Sequence, residues 1–414
     1  MSSPSAYDLL RRPELAWFIV LRLTTAFASM IVSTSVGWHV YDITGRALDL
    51  GYVGLVQFIP QLLLFPIAGT LVDRLDRRAI LAFVGVAYGA NALVLAALAT
   101  RALTSPAPIF ATLVLMAVAR TFSGPAAQAA LPRLVAPREL PQAAAWSSTS
   151  FSVAGIAGPA LGGFVYALGG PVAAYLTAVA LLGVSLIAVA RLPALPPPEH
   201  AKPPAFSEML TGARFIAGQP ILLAAISLDL FAVLLGGAVA LLPVFAKDIL
   251  HAGPAGLGWL RAAPALGAFT TAFLLAHRPL RRNVGPSLLM TVCGFGIATL
   301  LFSQATTLPT AMLALLLVGA TDEISVFIRL NIVQLATPDA MRGRVAAAEF
   351  VFIGASNELG EMESGLAAAL VGPVTAVALG GIGSVLVAGA CAWASPALRR
   401  LDRFEDLLPA EPSP

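Results

Sequence analysis

Apolar residues come in runs of about twenty, and these runs recur from one end of the chain to the other. A helix of that length matches the roughly 30 Å hydrocarbon layer of a bilayer. Short stretches rich in Gly, Pro and Asp separate the runs. The pattern predicts twelve membrane-spanning helices, over residues 15–42, 50–72, 79–100, 107–131, 140–168, 170–191, 219–247, 254–277, 284–304, 308–336, 343–369 and 373–395. A polar stretch from Leu192 to about Ala217 divides them six and six. It opens with Pro193, Pro196, Pro197 and Pro198, which cannot continue a helix. Ser207 then reads as the N-cap of a short amphipathic helix through Arg214 and Phe215. The expected organisation is an N-terminal six-helix half (1–191), a cytoplasmic linker (192–217), a C-terminal six-helix half (218–395) and a cytoplasmic tail (396–414).

Composition agrees. The chain has 414 residues, 58% of them hydrophobic and only 11% charged, with a mean hydropathy of +0.85. A soluble protein of this size could not hide that much apolar surface, so the expected class is an all-α integral membrane protein. The net charge of +3 does not point to nucleic acid, because the basic residues are spread over short loops rather than gathered into one stripe. The two cysteines, Cys293 and Cys391, sit inside apolar runs without metal-ligand spacing and read as packing residues. No metal or other cofactor is expected. The first 14 residues are polar and carry no cleavable signal pattern, so the first span is expected to stay in the membrane. With the N-terminus inside, 18 Lys and Arg residues fall on the cytoplasmic side, including Lys202, and three outside (Arg46, Arg101 and Lys247). That asymmetry predicts both termini in the cytoplasm.

The halves repeat one another. Arg133-Leu134-Val135-Ala136-Pro137 after span 4 matches Gln334-Leu335-Ala336-Thr337-Pro338 after span 10, and an Ala triplet follows each, at 143–145 and 346–348. Arg77-Arg78 matches Arg281-Arg282, and Arg12-Pro13 matches Gln219-Pro220. Weak internal symmetry at offsets of 201 to 207 residues predicts a membrane protein built from two related halves.

A charge in the middle of a span costs about 3 kcal/mol or more unless it is paired or faces water. Arg22, Arg120, Asp229, Asp322, Glu323 and Arg329 are such charges, and span 11 adds Glu349, Glu358, Glu361 and Glu363. The repeat places Arg22 on Asp229 and Arg120 beside Asp322, so the first half offers cations where the second offers anions. These residues are candidates to pair across a cavity or to bind opposite ends of a substrate. The competing reading is that each pairs within its own half, and for Asp322 and Arg329, seven apart on one face, the two readings weigh equally. Arg261 reads as structural, its head snorkelling. Asn357, Glu358 and Glu361 fall within about 100° of helix arc. Asp322, Glu323, Glu358 and Glu361 are proton-coupling candidates, because crowding and desolvation favour the protonated carboxyl. Packing by protonated carboxyls is the bland alternative. Metal ligation ranks behind both, since no His joins the cluster.

Five charges in six positions (73–78, Leu75 excepted) mark a turn at a membrane face. The pattern Gly69-x-x-x-Asp73-Arg74-x-x-Arg77-Arg78 resembles the loop between helices 2 and 3 of the major facilitator superfamily. Gly158-Pro159-x-x-Gly162-Gly163 in span 5 resembles the corresponding motif of its drug–proton antiporters, with Ala154 where that motif has Gly. Small residues there also let helices approach closely, which is the packing alternative. Arg120-x-x-x-Gly124 is similar to a further, shorter motif of that group. The opening loop, the Leu192–Pro198 stretch and Gln334–Arg344 together resemble the siderophore-exporter branch, which includes macrolide efflux proteins. The resemblance implies that spans 1, 4, 7 and 10 line a central cavity. It also implies that Gly69, Asp73, Arg74 and Arg77 form a conformational latch, with Asp73 facing the start of span 11 near Arg342-Gly343-Arg344. The acidic span 11 is a departure from that branch.

The expected function is export of a small organic molecule, siderophore or drug-like, by alternating access and proton antiport. The setting is a bacterial inner membrane, and the partners are substrate, protons and the lipid bilayer, with the protein a monomer. An uncoupled facilitator, an importer of a small metabolite, a metal-ion exporter and a transporter-like receptor remain open. A receptor would need a soluble extension, and the tail from Ser395 is too short for a domain. An enzyme is not expected, because no nucleophile, His pair or metal motif converges on one face.

Overall fold

The structure is a computed structural model that describes residues 9–197 and 206–407. Pro198 and Lys202 lie outside the described residues, as does the Ser207 side chain. The chain divides into two compact units: Met1–Pro203 with Ala246–Ala262, and Pro204–Phe245 with Ala263–Pro414. Among the described residues both are helical throughout.

Unit 1 contains α1 (Pro13–Thr44), α2 (Ala47–Arg74), α3 (Arg77–Ala99), α4 (Ala107–Leu134) and a continuous helical run, Leu140–Arg191, of 52 residues. A straight helix of that length would measure about 78 Å, more than twice the bilayer core. Its contacts show that it folds back. Met30 and Ile31 of α1 meet Gly158 and Gly162, and Trp38 meets Tyr166 edge-on, so the numbers rise together. Thr25 bonds Ser185 and His39 bonds Tyr175, so beyond the fold they run oppositely. Gly170 makes the turn at φ 68°, a region open to glycine, and Pro171 starts the return. The two arms, α5 (140–169) and α6 (171–191), are therefore separate spans.

Unit 2 contains α7 (Phe206–Gly218), α8 (Pro220–Leu235), most of α9 (Gly253–His277), α10 (Val284–Ser303), α11 (Leu308–Ala336), α12 (Arg342–Val371) and α13 (Pro373–Ala394). Ten helical segments among the described residues are long and apolar enough to cross a membrane, with Pro137–Arg191 taken as one. Dividing that one at Gly170 gives eleven. The remaining long helix, α12, has 30 residues but carries six charges, so composition alone does not mark it as a span.

Three expectations about elements change. The seventh span, expected over 219–247, is broken. α8 stops at Leu235, Gly236 and Gly237 follow, and the chain continues as a 3-10 turn (Ala238–Leu241) and a π-helical turn (Phe245–Ile249). A Cβ on Gly237 would lie 2.6 Å from the Ser364 hydroxyl and 2.7 Å from the Gly360 carbonyl, so the chain is glycine where it crosses α12. The charged loop after span 2 is shorter than its polarity suggests. α2 continues through Arg74, which puts Gly69, Asp73 and Arg74 in its last turns. Asp76 then caps α3 by accepting from the Arg78 amide. Finally, α7 begins at Phe206, one residue before the expected cap Ser207.

The internal repeat is legible in the contacts. A Cβ on Gly158 would come 2.7 Å from Met30 and 3.7 Å from the Phe27 carbonyl, and a Cβ on Gly360 would come 3.0 Å from the Leu234 carbonyl. Phe27 and Leu234 are related by the same offset that relates Arg22 to Asp229. The chain leaving each half is also pinned at equivalent positions, with donor and acceptor exchanged. Leu195 N–H donates to the Asp76 carboxylate at 3.1 Å, and Asn283 N–H donates to the Asp402 carboxylate at 2.9 Å. The sequence separation is 119 in both cases.

Candidate functional site

Three helices of unit 2 bring one cation and two anions together. Arg329 on α11 donates through Nη1 to Glu349 Oε1 of α12 at 2.5 Å, and its Nη2 lies 3.3 Å from Asp229 Oδ2 of α8. All three side chains are buried. A single guanidinium suits this position because its planar fork reaches two carboxylates at once. Ser325 and Asp322 lie one and two turns before Arg329 on the same face of α11. A small pocket sits there, lined by Asp229, Ala232, Val233, Val292, Phe295, Asp322 and Ser325. Its volume is about 210 Å³ including its open side. Asp322 is half-buried and makes no ion pair or hydrogen bond among the described residues. The buried Ser325 Oγ and Arg329 Nε also have no hydrogen-bond partner.

The electrostatics follow from the count. When all are ionised, Asp229, Glu349 and Asp322 set three negative charges against the one positive charge of Arg329. In a poorly solvated setting such an excess is expensive. A bound proton or a bound cation relieves it, and either is chemistry that this arrangement can perform reversibly.

Sequence reasoning reaches only part of this grouping. Asp229 and Asp322 are both sequence candidates, and they meet at one pocket. The repeat matches Asp229 to Arg22, yet its ion-pair partner is Arg329 of its own unit. The repeat relates equivalent places and says nothing of which helix a side chain faces. Arg329 and Glu349 stand out in the sequence as in-span charges, but not as site residues. The available signal is that Arg329 is the one basic residue in its span, on the Asp322 face. Glu323 is half-buried, Glu361 half-buried and Glu358 buried, while Asn357 is exposed and bonds its own helix at Ile353 O. The arc shared by residues 357, 358 and 361 thus straddles the border between the buried and exposed faces of α12.

Unit 1 is built differently. Its α1 meets α6 through neutral contacts, Thr25 with Ser185 at 2.8 Å and His39 Nδ1 with the Tyr175 hydroxyl at 3.1 Å, while buried charges sit at helix ends, Glu139 bridged to Arg12 at 2.8 Å and Arg77 at the start of α3. Arg22 is half-buried, and its Nε has no hydrogen-bond partner; Arg120 lies on an exposed face of α4. The Gly158-Pro159-x-x-Gly162-Gly163 motif works as a two-sided packing seam. Gly158 and Gly162 admit α1, and Gly163 admits the start of α9, where a Cβ would lie 2.4 Å from the Pro254 carbonyl. From the other side, a Cβ on Gly258 would lie 2.6 Å from the Pro159 carbonyl. The 246–262 segment is tied to α1 by Lys247 with Asp42 at 2.6 Å, by Tyr41 donating to Asp248, and by Arg261 donating to Ser33 at 2.9 Å. Arg261 therefore has a definite structural partner. Asp73 is half-buried and Arg74 exposed. Arg77 is buried and donates to the Pro196 carbonyl at 2.5 Å, so within unit 1 it fixes the start of the linker.

Comparison with known proteins fits this architecture. The chain is 28% identical over 351 residues to the enterobactin exporter EntS of Citrobacter koseri, covering 83% of this chain and 80% of that one. It is 27% identical over 365 residues to EntS of Escherichia coli O127:H6, covering 86% and 83%. With EntS of Escherichia coli O1:K1 / APEC the match is 29% over 261 residues, 63% of this chain and 62% of that protein. Among solved structures, a POT family transporter bound to 5-aminolevulinic acid superposes with a TM-score of 0.72 at 9% identity, covering 93% of this chain and 96% of that one. A mutant of the nucleoside transporter NupG gives 0.68 at 15%, covering 92% and 99%. At such identities the likeness shows the fold alone, which is that of the major facilitator transporters. The transmembrane secretion effector model matches residues 4–413, and the chain belongs to that family of multi-pass membrane transporters.

Proposed function

We propose that the protein exports a small organic molecule, siderophore or drug-like, by alternating access coupled to proton entry. Export is supported by the secretion-effector family and by the relation to enterobactin exporters. Coupling rests on one observation: a single guanidinium, Arg329, stands against Asp229, Glu349 and the unpaired Asp322. Protonation of a carboxyl there removes a costly charge excess, so proton loading changes the energy of the site. Glu323, Glu358 and Glu361 are the secondary coupling candidates, and Arg22 and Arg120 the candidates to meet an anionic part of the substrate.

The reading places the protein in a bacterial inner membrane as a monomer with both termini cytoplasmic, as the distribution of Arg and Lys supports. Its two six-helix halves are joined by the linker over 192–217. Gly69, Asp73, Arg74 and Arg77 act as the latch between alternating states, and Asp73→Asn at equal expression lowers transport. The deciding experiment offers enterobactin, a macrolide or a cationic dye to everted membrane vesicles under an imposed inside-acid gradient. Accumulation that collapses with a protonophore supports antiport. Equilibration insensitive to the gradient would identify an uncoupled facilitator.

A further inference from the structure

The pocket on the α8, α10 and α11 faces of unit 2 has features that proton exchange alone does not require. Ser325 is 3% exposed, lines the pocket, and its Oγ has no hydrogen-bond partner. A buried hydroxyl left unsatisfied is costly, so its place in the wall points to an occupant that bonds to it. Asp322 beside it is unpaired, and Asp229 spends one oxygen on Arg329. The rest of the wall is Ala232, Val233, Val292 and the ring of Phe295. That ring lies over the helix break, where a Cβ on Gly236 would come 2.5 Å from it.

These features select among occupants. The volume of about 210 Å³ counts the open side, so the enclosed part admits only a small group. It therefore holds a head group whose remainder extends through the open side. The uncompensated charge around Arg329 is negative, which selects a cation. A bare metal ion wants six or more oxygen ligands for calcium, or a near-ideal octahedron for magnesium. Here three side chains offer oxygen and the other four are apolar. Among the described residues no group of three or more His, Cys, Asp and Glu is arranged to hold a metal. An ammonium group has three donors, matched by Asp322, Ser325 Oγ and Asp229, and the aromatic wall adds a cation–π surface.

We infer that this pocket is a subsite for the primary ammonium head group of an amphipathic amine. The inference deepens the export reading by naming a substrate class, but it concerns binding to the purified protein and stands or falls without transport.

The test is thermal stability of the purified protein in detergent, with hexylammonium chloride, hexanol and sodium chloride as matched probes. Hexylammonium is expected to raise the melting temperature in a saturable way, and hexanol and sodium chloride are not. Ser325→Ala should weaken the apparent affinity by about tenfold or more, tenfold being the lower end of the loss for one hydrogen bond to a charged group. Asp322→Asn should abolish the response. If Asp322→Asn fails to fold, Ser325→Ala and Phe295→Leu carry the test. Equal shifts with hexanol, or an undiminished ammonium response in Ser325→Ala, would overturn the assignment. Ammonium binding with gradient-insensitive transport would refute only the proton coupling. Proton-coupled transport with no ammonium response would refute only the subsite.

Discussion

Helix α1 reaches its interior partners through neutral hydrogen bonds, Thr25 to Ser185 and His39 to Tyr175. Its repeat equivalent α8 reaches them through Asp229 and the guanidinium of Arg329. The two helices share a backbone contact, since Gly158 lies against Phe27 and Gly360 against Leu234. Yet α1 runs unbroken to Thr44 while α8 stops before Gly236. One scaffold thus joins α1 to α6 through uncharged pairs in one half, with the buried charges Arg77 and Glu139 kept at helix ends, and holds an ionised, partly unpaired group within α8 and α11 in the other. The Thr25–Ser185 pair does not titrate near neutral pH, and in the His39–Tyr175 pair only the imidazole can take up a proton. The cluster around Arg329 differs in setting several carboxylates against one guanidinium, so a proton there relieves an excess of like charge.

The largest expected effect comes from removing the cation. Arg329→Met leaves Asp229 and Glu349 facing each other without compensation, and should cost about 3–5 kcal/mol of stability. Thermal unfolding in detergent measures it, and restoration by adding Asp229→Asn and Glu349→Gln would confirm that charge, not packing, was lost. A smaller effect is expected at the shared seam. Gly158→Val and Gly360→Val each drive a side chain into the neighbouring helix, and each should cost about 1–3 kcal/mol. Comparable losses would support the equivalence of the two contacts; a loss in one half alone would break it. In the first half, Tyr175→Phe removes a single hydrogen bond and should cost about 1 kcal/mol, well below the Arg329 variant.

The smallest effect concerns the pinned tail. The backbone N–H of Asn283, and after it Arg282, hold the Asp402 carboxyl below its ordinary range. A depressed carboxylate stabilises the folded state above its unfolded pKa, and that contribution fades as pH falls through the folded value. Asp402→Asn should therefore speed amide exchange around residues 401–407 at neutral pH, and acidification should reduce the difference between variant and parent. Equal exchange at neutral pH would show that the pin contributes nothing.

Much of this is readable from the chain because bilayer physics is strict about length and charge. Span positions, the midpoint break and the repeat all follow from apolar runs and their punctuation. The turn at Gly170 is legible too, since Gly169-Gly170-Pro171 interrupts a run too long for one crossing. The partner of Asp229 is not, because the repeat offset relates places in two halves, while pairing depends on how α8, α11 and α12 are rotated about their axes. Glu349 is hidden for the same reason: it lies only two turns from the start of α12 at Arg342, and charges near helix ends are usually solvated. The break in α8 leaves a trace in Gly236-Gly237, but Gly pairs also occur intact in spans, as Gly162-Gly163 does in α5.

The central claim is that carboxylates of the second half carry the coupling proton, and reconstituted Asp322→Asn tests it most directly. Liposomes would be loaded with a transported molecule that lacks an ammonium group, and exchange at equal pH compared with uptake driven by a proton gradient. The account predicts that the variant retains exchange but loses the gradient-driven component. Gradient-driven uptake at the parental level in Asp322→Asn would contradict it.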